Sequence, residues 1–308
     1  MTLVVDKLNK SFGDNHVLRD LSFTAQSGVA LGLLGRNGSG KTTTIRTMLN
    51  IFPADSGSAT IDGTPVRDMR ERIGYLPEER GLYPKRIIRD QMAYIGSLRG
   101  LSSSAAKKRA EELLVRIEAE EYLDRRLDTL SKGNQQKIQL AIALMTNPDI
   151  VILDEPFSGL DPVNAQMLKR LVTELVGEGK MVIFSSHQMA VVEEFCDDIC
   201  IINGGEVALA GNLRRIKRTY PRYQVLITPE LSVEDQLCRK LSESSAIHAL
   251  AAEIKPYGRY GSLVRLHKED DKGALFRALT ESNIPIDAIT VLEPTLEDIF
   301  VEKVGAEA

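Results

Sequence analysis

The stretch Gly35-Arg36-Asn37-Gly38-Ser39-Gly40-Lys41-Thr42-Thr43 decides how the rest of the chain is read. It fits the pattern G-x-x-x-x-G-K-[ST], with Gly35, Gly40, Lys41 and Thr42 at the fixed positions. Before it, the apolar run Val29 to Leu34 predicts a buried parallel strand. After it, Thr42 to Asn50 has the length and apolar spacing of a helix. Strand, glycine-rich turn and helix in that order make a phosphate cradle, which Asn37, Gly38, Ser39 and Thr43 would complete. Glycines let backbone N–H groups close around phosphate oxygens, because no Cβ blocks the curve. The helix start adds unpaired donors and partial positive charge. Lys41 is placed to reach β- and γ-phosphates, and the Thr42 hydroxyl to bind Mg²⁺. The bland alternative is a glycine-rich turn with a chance lysine, and the flanking elements argue against it.

Working outward, 308 residues exceed one domain of ordinary size, so two domains are expected. Hydrophobic residues make up 43% and charged residues 27%, enough apolar matter for a substantial core. A net charge of -4 and a pI of about 5.7 leave no electrostatic footprint for nucleic acid. Cys196, Cys200 and Cys238 are odd in number and form no disulfide framework, which points to a reducing compartment. The close pair Cys196 and Cys200 reads as two buried thiols, since no His or Cys cluster accompanies it. The start MTLVVDKLNK lacks a signal-peptide layout, and no apolar run approaches the ~18 residues needed to span a bilayer. Any membrane role is therefore expected to come through a partner.

Leu3 to Leu8 and Val17 to Phe23 read as strands of a small sheet, with Phe12 and Gly13 in a polar turn between them. Ala59 to Pro65 is a strand with a turn at Asp62 and Gly63, and Arg72 to Pro77 is another strand. From Arg86 the pattern turns helical, with Ala105 to Ile117 showing one apolar side and a solvated charged face. Ile150 to Leu153 is a core strand, Gln166 to Gly177 a helix, Met181 to Phe184 a strand and Met189 to Cys196 a helix. Ile199 to Ile202 and Glu206 to Ala210 form a hairpin around Asn203-Gly204-Gly205. Strands alternating with helices predict an α/β fold with a parallel core, plus an antiparallel sheet from the N-terminal strands. After the basic connector Gly211 to Arg222 the pattern restarts. Strands Tyr223 to Thr228, Leu263 to His267 and Ile286 to Leu292 alternate with helices Val233 to Leu241 and Lys272 to Ser282. This predicts a small α+β domain of the split-βαβ, ferredoxin-like kind. The expected division is 1–211 and 212–308, with a helical subdomain at about 86–146.

Asp154 and Glu155 close the apolar strand Ile150 to Leu153, at the strand end where α/β sheets bind ligands. Asp154 suits a Mg²⁺ partner and Glu155 a general base orienting an attacking water. Leu130-Ser131-Lys132-Gly133-Asn134 precedes a helix that Gln135 is expected to open, with Ser131 as N-cap and Asn134 bonding back as in a capping box. Alone, that stretch is an ordinary helix cap.

The order phosphate loop, LSKGN, ILDEP, SGLD and SSH is specific in combination, and over residues 1 to 211 the chain resembles the ATP-binding cassette (ABC) ATPases. The resemblance implies a P-loop ATPase using ATP and Mg²⁺. It also implies a head-to-tail pair of cassettes, as a homodimer or with a second ABC subunit, in which Ser131, Gly133 and Asn134 hold the nucleotide of the opposite chain. By the same resemblance Phe12 stacks on adenine, Ser158 to Asp161 (SGLD) couples the two sites, and His187 is the switch histidine at the γ-phosphate. His16, His248 and His267 have no such context. Two departures stand out. Lys132 and Asn134 replace a glycine and a glutamine of the usual serine-glycine-glycine-glutamine, and Glu78, within Tyr75 to Arg80, takes the place of the switch glutamine. Glu78 is expected to bind the catalytic Mg²⁺ beside Thr42 and Asp154, although spacing leaves Glu79 as an alternative. These variants, with ERGLY and the ending TLEDIF, resemble a bacterial and archaeal subgroup that includes sodium-efflux ATPase subunits and carries an extra C-terminal domain.

The implied function is the cytoplasmic ATPase subunit of an exporter, attached to the inner face of the membrane through separately encoded permease subunits. A soluble cassette ATPase acting on ribosomes or DNA is the competing class. It usually has two cassettes in one chain or long coiled-coil insertions, and neither occurs here. A nucleotide-controlled regulator is a third reading. The sequence leaves the cargo open, and three roles for the C-terminal domain: stabilising a homodimer, contacting the permease, or regulating it.

Overall fold

The computed structural model describes residues 1–79, 81–230, 236–258 and 261–305. It divides into two units, one comprising Met1–Leu213 with the stretch from Lys303 onward, the other Arg214–Glu302. The first unit therefore ends two residues beyond the expected boundary.

The first unit opens with the long strands β1 (Thr2–Phe12) and β2 (Asn15–Gln26), then β3 (Ala30–Leu34) and helix α1 (Lys41–Met48). Next come β4 (Ser56–Ile61), β5 (Thr64–Pro65), β6 (Ile73–Leu76), and helices α2 (Ile88–Leu98), α3 (Ser103–Arg116) and α4 (Lys132–Ala143). Strand β7 (Ile150–Leu153), helix α5 (Pro162–Gly177), strand β8 (Met181–Ser186), helix α6 (Met189–Phe195) and strands β9 (Asp198–Asn203) and β10 (Glu206–Asn212) complete it.

Two sheets result. An antiparallel sheet has the order β2-β1-β4-β5, and the central sheet the order β10-β9-β3-β8-β7-β6. In the central sheet β9, β3, β8, β7 and β6 run parallel, and only β10 is antiparallel. The β9–β10 turn has two residues, Gly204 and Gly205, both at positive φ (56° and 85°), which matches the twist of a tight hairpin. All residues of β3, β7 and β8 are buried, as expected of strands covered on both faces. β1 and β2 alternate instead, burying Leu3, Val5, Leu18, Leu21 and Phe23 in one core with Leu31, Leu33 and Ile45.

Two helix starts differ from expectation. α4 begins at Lys132, not Gln135: Ser131 is the N-cap and its hydroxyl accepts from Asn134 N–H at 3.4 Å. α5 begins at Pro162, not Gln166. Asp161 caps it by accepting from Asn164 N–H at 2.9 Å, and Pro162 occupies the first turn, where its missing N–H costs nothing.

The second unit contains helix α7 (Leu213–Thr219, entering from the first unit), strand β11 (Gln224–Pro229), and helices α8 (Leu237–Glu243) and α9 (Ser245–His248). It continues with strands β12 (Ala251–Tyr257) and β13 (Gly261–Leu266), helix α10 (Lys272–Glu281), strand β14 (Ile286–Val291) and helix α11 (Leu296–Val304). The antiparallel order β12-β13-β11-β14, with helices between β11 and β12 and between β13 and β14, is the ferredoxin-like arrangement. Of the helix expected over Val233 to Leu241, residues 233–235 lie outside the described residues. β12 was not expected: its sequence AAEIKPY carries two charges and Pro256, and it is tolerated because β12 is an edge strand paired only with β13. Val225, Ile227, Leu237, Leu241, Val264, Leu275 and Leu279 form this unit's own core. The TLEDIF stretch is a reciprocal helix cap. The Asp298 carboxylate accepts from Thr295 N–H at 2.9 Å, while Asp298 N–H donates to the Thr295 hydroxyl at 3.1 Å. Among the described residues no helix is long and apolar enough to cross a membrane.

Candidate nucleotide and metal site

Neighbouring strands β3, β8, β7 and β6 are parallel, so their C-terminal ends lie along one edge of the sheet. From that edge β3 leads into Gly35, β8 into His187, β7 into Asp154 and Glu155, and β6 into Pro77 and Glu78. Residues more than a hundred positions apart thus meet in one cleft of about 540 Å³. Lys41, Thr42, Glu78, Glu155 and His187 are among its lining.

The glycine positions of the phosphate loop have separate reasons. A Cβ on Gly35 would lie 2.2 Å from Ser39 Oγ and 2.5 Å from the Ile202 carbonyl oxygen, so only glycine fits. Gly40, the N-cap of α1, sits at φ +108°, a region that L side chains avoid. Lys41 is buried within the loop it serves. Its Nζ donates to the carbonyl oxygens of Gly35 (2.8 Å) and Arg36 (3.2 Å) and lies 3.4 Å from Glu155 Oε1. The ammonium is thus held at the centre of the loop, facing the acids of β7.

Asp154 is fully buried. Its Oδ1 accepts from Ser185 Oγ at 2.6 Å and from Thr42 Oγ1 at 3.1 Å, while Oδ2 has no hydrogen-bond partner. Burial pushes the Asp154 carboxyl above its ordinary range, against the pull of those two hydroxyls. A buried carboxylate oxygen with no partner beside a threonine hydroxyl fits a hard divalent cation. Among the described residues no cluster of three or more His, Cys, Asp or Glu has metal-holding geometry.

Glu155 follows at φ +47°, an unfavourable conformation for a non-glycine residue. It is held there by donation of its N–H to Ser185 Oγ at 2.8 Å. Its carboxylate lies between Lys41 and His187, whose Nδ1 is 2.9 Å from Glu155 Oε2. Ser185 therefore serves both acids. In the sequence Ser185 stands within SSH with no role of its own. The available signal was a hydroxyl continuing an otherwise apolar core strand next to the one that ends in Asp154.

Glu78 and Glu79 are engaged differently. The Glu79 carboxylate pairs with Arg46 of α1, which holds it below its ordinary range. Glu78 lines the cleft. Its carboxyl is pushed above its ordinary range, first by partial burial and then by the charges of Asp154 and Glu155.

Asn37, Gly38 and Thr43 also line the cleft, whereas Phe12, Ser131, Gly133, Asn134 and Asp161 do not. Phe12, 45% exposed at the end of β1, meets Phe52 edge-on with centroids 5.4 Å apart. Ser131 and Lys132 are exposed at the start of α4. Gly133 is buried, and a Cβ on it would come within 2.9 Å of Asn164 Nδ2. The Asn134 side chain does not bond back to Ser131; its Nδ2 donates to the Tyr122 hydroxyl at 2.8 Å, so no capping box forms. Asp161 is engaged as the α5 cap, with both carboxylate oxygens on Asn164. Cys196 and Cys200 are buried free thiols, and burial pushes Cys200 up to about 12.

Residues 18–158 match the ABC transporter family, and residues 211–304 match the C-terminal domain of DrrA1-3-like ATP-binding proteins. An uncharacterised ABC transporter ATP-binding protein of Bacillus subtilis is 39% identical over 305 residues, 99% of each chain. The linearmycin resistance ATP-binding protein of the same organism is 29% identical over 310 residues, 98% of each chain. Among solved structures, a dimeric bacterial ABC transporter cassette superposes with a TM-score of 0.64 at 25% identity, covering 69% of this chain and 99% of that one.

Proposed function

The chain belongs to the ATP-binding proteins of ABC transporters, and from that premise we propose that it binds and hydrolyses ATP to drive an exporter with separately encoded membrane subunits. One observation carries the catalytic part: Lys41 and Thr42, which follow β3, converge with Asp154 and Glu155, which follow β7, and the buried Asp154 Oδ2 is without a hydrogen-bond partner.

In this reading Lys41 neutralises the β- and γ-phosphates, and the backbone N–H groups at the start of α1 hold their oxygens. Thr42, Asp154 and Glu78 would hold Mg²⁺, which supplies charge neutralisation across the phosphates. Glu155 orients a water and takes its proton as the water oxygen bonds to the γ-phosphorus. The bond to the β–γ bridging oxygen breaks, leaving ADP and phosphate. His187 uses Nδ1 on Glu155, which leaves Nε2 for the γ-phosphate. Ser131 and Gly133 are absent from the lining of this chain's own cleft. They fit instead the nucleotide of a second cassette paired head to tail, and the dimeric relative supports that pairing. Asn134, engaged with Tyr122, would position the α4 start and not touch the nucleotide. Phe12 remains the candidate adenine platform and Asp161 the link between sites through α5.

A docking surface supports membrane partners. Tyr83 and Tyr94, 57% and 55% exposed, flank a groove with Arg86, Asp90 and Gln91. The Gln91 Nε2 there is buried and unpartnered. Exposed aromatic area of this kind suits a protein surface with an apolar anchor. This would place the chain on the inner face of the membrane, held from the cytoplasm by permease subunits. A relative named as a Nod factor export ATP-binding protein, 36% identical over 208 residues, favours export.

Glu155→Gln is the test. The variant should bind MgATP, hydrolyse it at least about 100-fold more slowly, and run as a dimer in ATP but not ADP on size-exclusion chromatography. Normal turnover would remove Glu155 from the role of base, and a monomer in ATP would remove the head-to-tail pairing.

A further inference from the structure

Gln139 lies in the otherwise apolar run Ile138 to Ala143 of α4, yet it is only 7% exposed. Its Nε2 donates to two backbone carbonyls, Pro77 at 3.2 Å and Glu79 at 3.0 Å. Those carbonyls lie on either side of Glu78. The segment is anchored at two further points. Asp154 N–H donates to the Leu76 carbonyl at 2.8 Å, and the Glu79 carboxylate is taken by Arg46 of α1. With the backbone fixed before and after Glu78, and the neighbouring acid turned toward Arg46, the Glu78 carboxylate is the one directed to the cleft that Lys41, Thr42 and Glu155 line.

We propose that Gln139 is the positioning residue for Glu78, so that α4, through this amide, sets how well the Glu78 carboxylate reaches the metal at the phosphates. The inference rests on the reading of Glu78 as a Mg²⁺ ligand. It adds that the same helix that presents Ser131 at its N-terminus governs the metal site of its own chain. Gln139 lies eight positions after Ser131, about 12 Å along a rigid helix. A shift of the α4 start is therefore carried to the Pro77 and Glu79 carbonyls.

The test measures metal binding, not turnover. In a Glu155→Gln background, Mn²⁺ affinity of the ATP complex is read by electron paramagnetic resonance, and metal-free ATP affinity by calorimetry. Gln139→Leu keeps the bulk and removes both donors. It should weaken Mn²⁺ binding by about tenfold, the lower range for loss of a group that orients a metal ligand, with metal-free ATP affinity unchanged. The decisive arm is the same substitution in a Glu78→Ala chain, where it should have no further effect, because a residue acting through Glu78 has nothing left to position. Equal weakening with and without the Glu78 carboxylate would show a merely structural role and overturn the proposal, as would no weakening at all. If Glu78→Ala alone leaves Mn²⁺ affinity intact, the reading of Glu78 as ligand fails and the proposal falls with it. If Glu78→Ala weakens binding and Gln139→Leu does not, only the positioning claim fails. Gln139→Glu, of the same shape but presenting an acceptor to the two carbonyls, replaces Gln139→Leu in every arm should that variant not fold, and the same outcomes decide.

Discussion

Ser185→Ala tests the junction on which both acids of β7 depend. The hydroxyl is fully buried, donates to Asp154 Oδ1 at 2.6 Å and accepts from Glu155 N–H at 2.8 Å. Alanine removes a single oxygen, so the cavity left is small and the cost is polar. A hydrogen bond to a charged group contributes about 1.5–3 kcal/mol net, and a buried N–H left without an acceptor costs about 1–3 kcal/mol. Asp154 keeps its bond from Thr42 at 3.1 Å, which recovers part of the first loss. The expected total is about 3 kcal/mol. A chain of two units does not justify one global unfolding energy, so the readout is native-state hydrogen exchange by peptide. Peptides covering β7 and β8 should exchange about 100-fold faster, the factor that this energy corresponds to. Those covering β11 and β13 should not change. Ser186→Ala is the control: among the described residues its hydroxyl accepts only from Gln188 N–H at 3.0 Å, so about 1 kcal/mol is at stake. Exchange in Ser185→Ala within about threefold of the unsubstituted chain would refute the reasoning that this hydroxyl holds the acids in place.

Lys41→Ala should abolish most ATP binding in an equilibrium titration, since the buried ammonium at the loop centre is lost; unchanged affinity would remove Lys41 from the phosphate site. Glu78→Gln should raise the Mg²⁺ concentration for half-maximal hydrolysis while Glu79→Gln should not, because Glu79 is engaged with Arg46; the reverse result would reassign the ligand. A chain ending at Leu213 should remain folded by circular dichroism and bind ATP, because the second unit has its own core; an insoluble product would show that the two cores depend on each other.

Most of the fold could be read because its strongest signals are local. The apolar runs that became β3, β7 and β8 are buried throughout, so an unbroken hydrophobic stretch sufficed. What was missed depends on partners elsewhere in the chain. β12 is a strand because β13 offers it an edge, although Pro256 and its charges argue locally against one. The start of α5 was legible in Asp161-Pro162, a good cap followed by a good first residue, but reading that stretch as a coupling loop hid the helix signal.

The site shows the same division between motif and partner. The loop and the Asp154-Glu155 pair follow from motifs, since each motif carries its own reason for the residue type. The choice between Glu78 and Glu79 does not, because adjacent residues differ only in which way the backbone turns them. Three residues on distant elements bear on that choice: Arg46 on α1 takes Glu79, while Gln139 on α4 and the Asp154 N–H hold the surrounding carbonyls. A glutamate at position 78 adds a third negative charge near Asp154 and Glu155, and its carboxyl is pushed upward, first by partial burial and then by those charges. Such repulsion is tolerable where a divalent cation is to be bound, since the cation converts it into attraction. The cost of the acid and the clamp around it therefore have one physical explanation: a carboxylate kept close to its like-charged neighbours needs its backbone held, or it would turn to solvent.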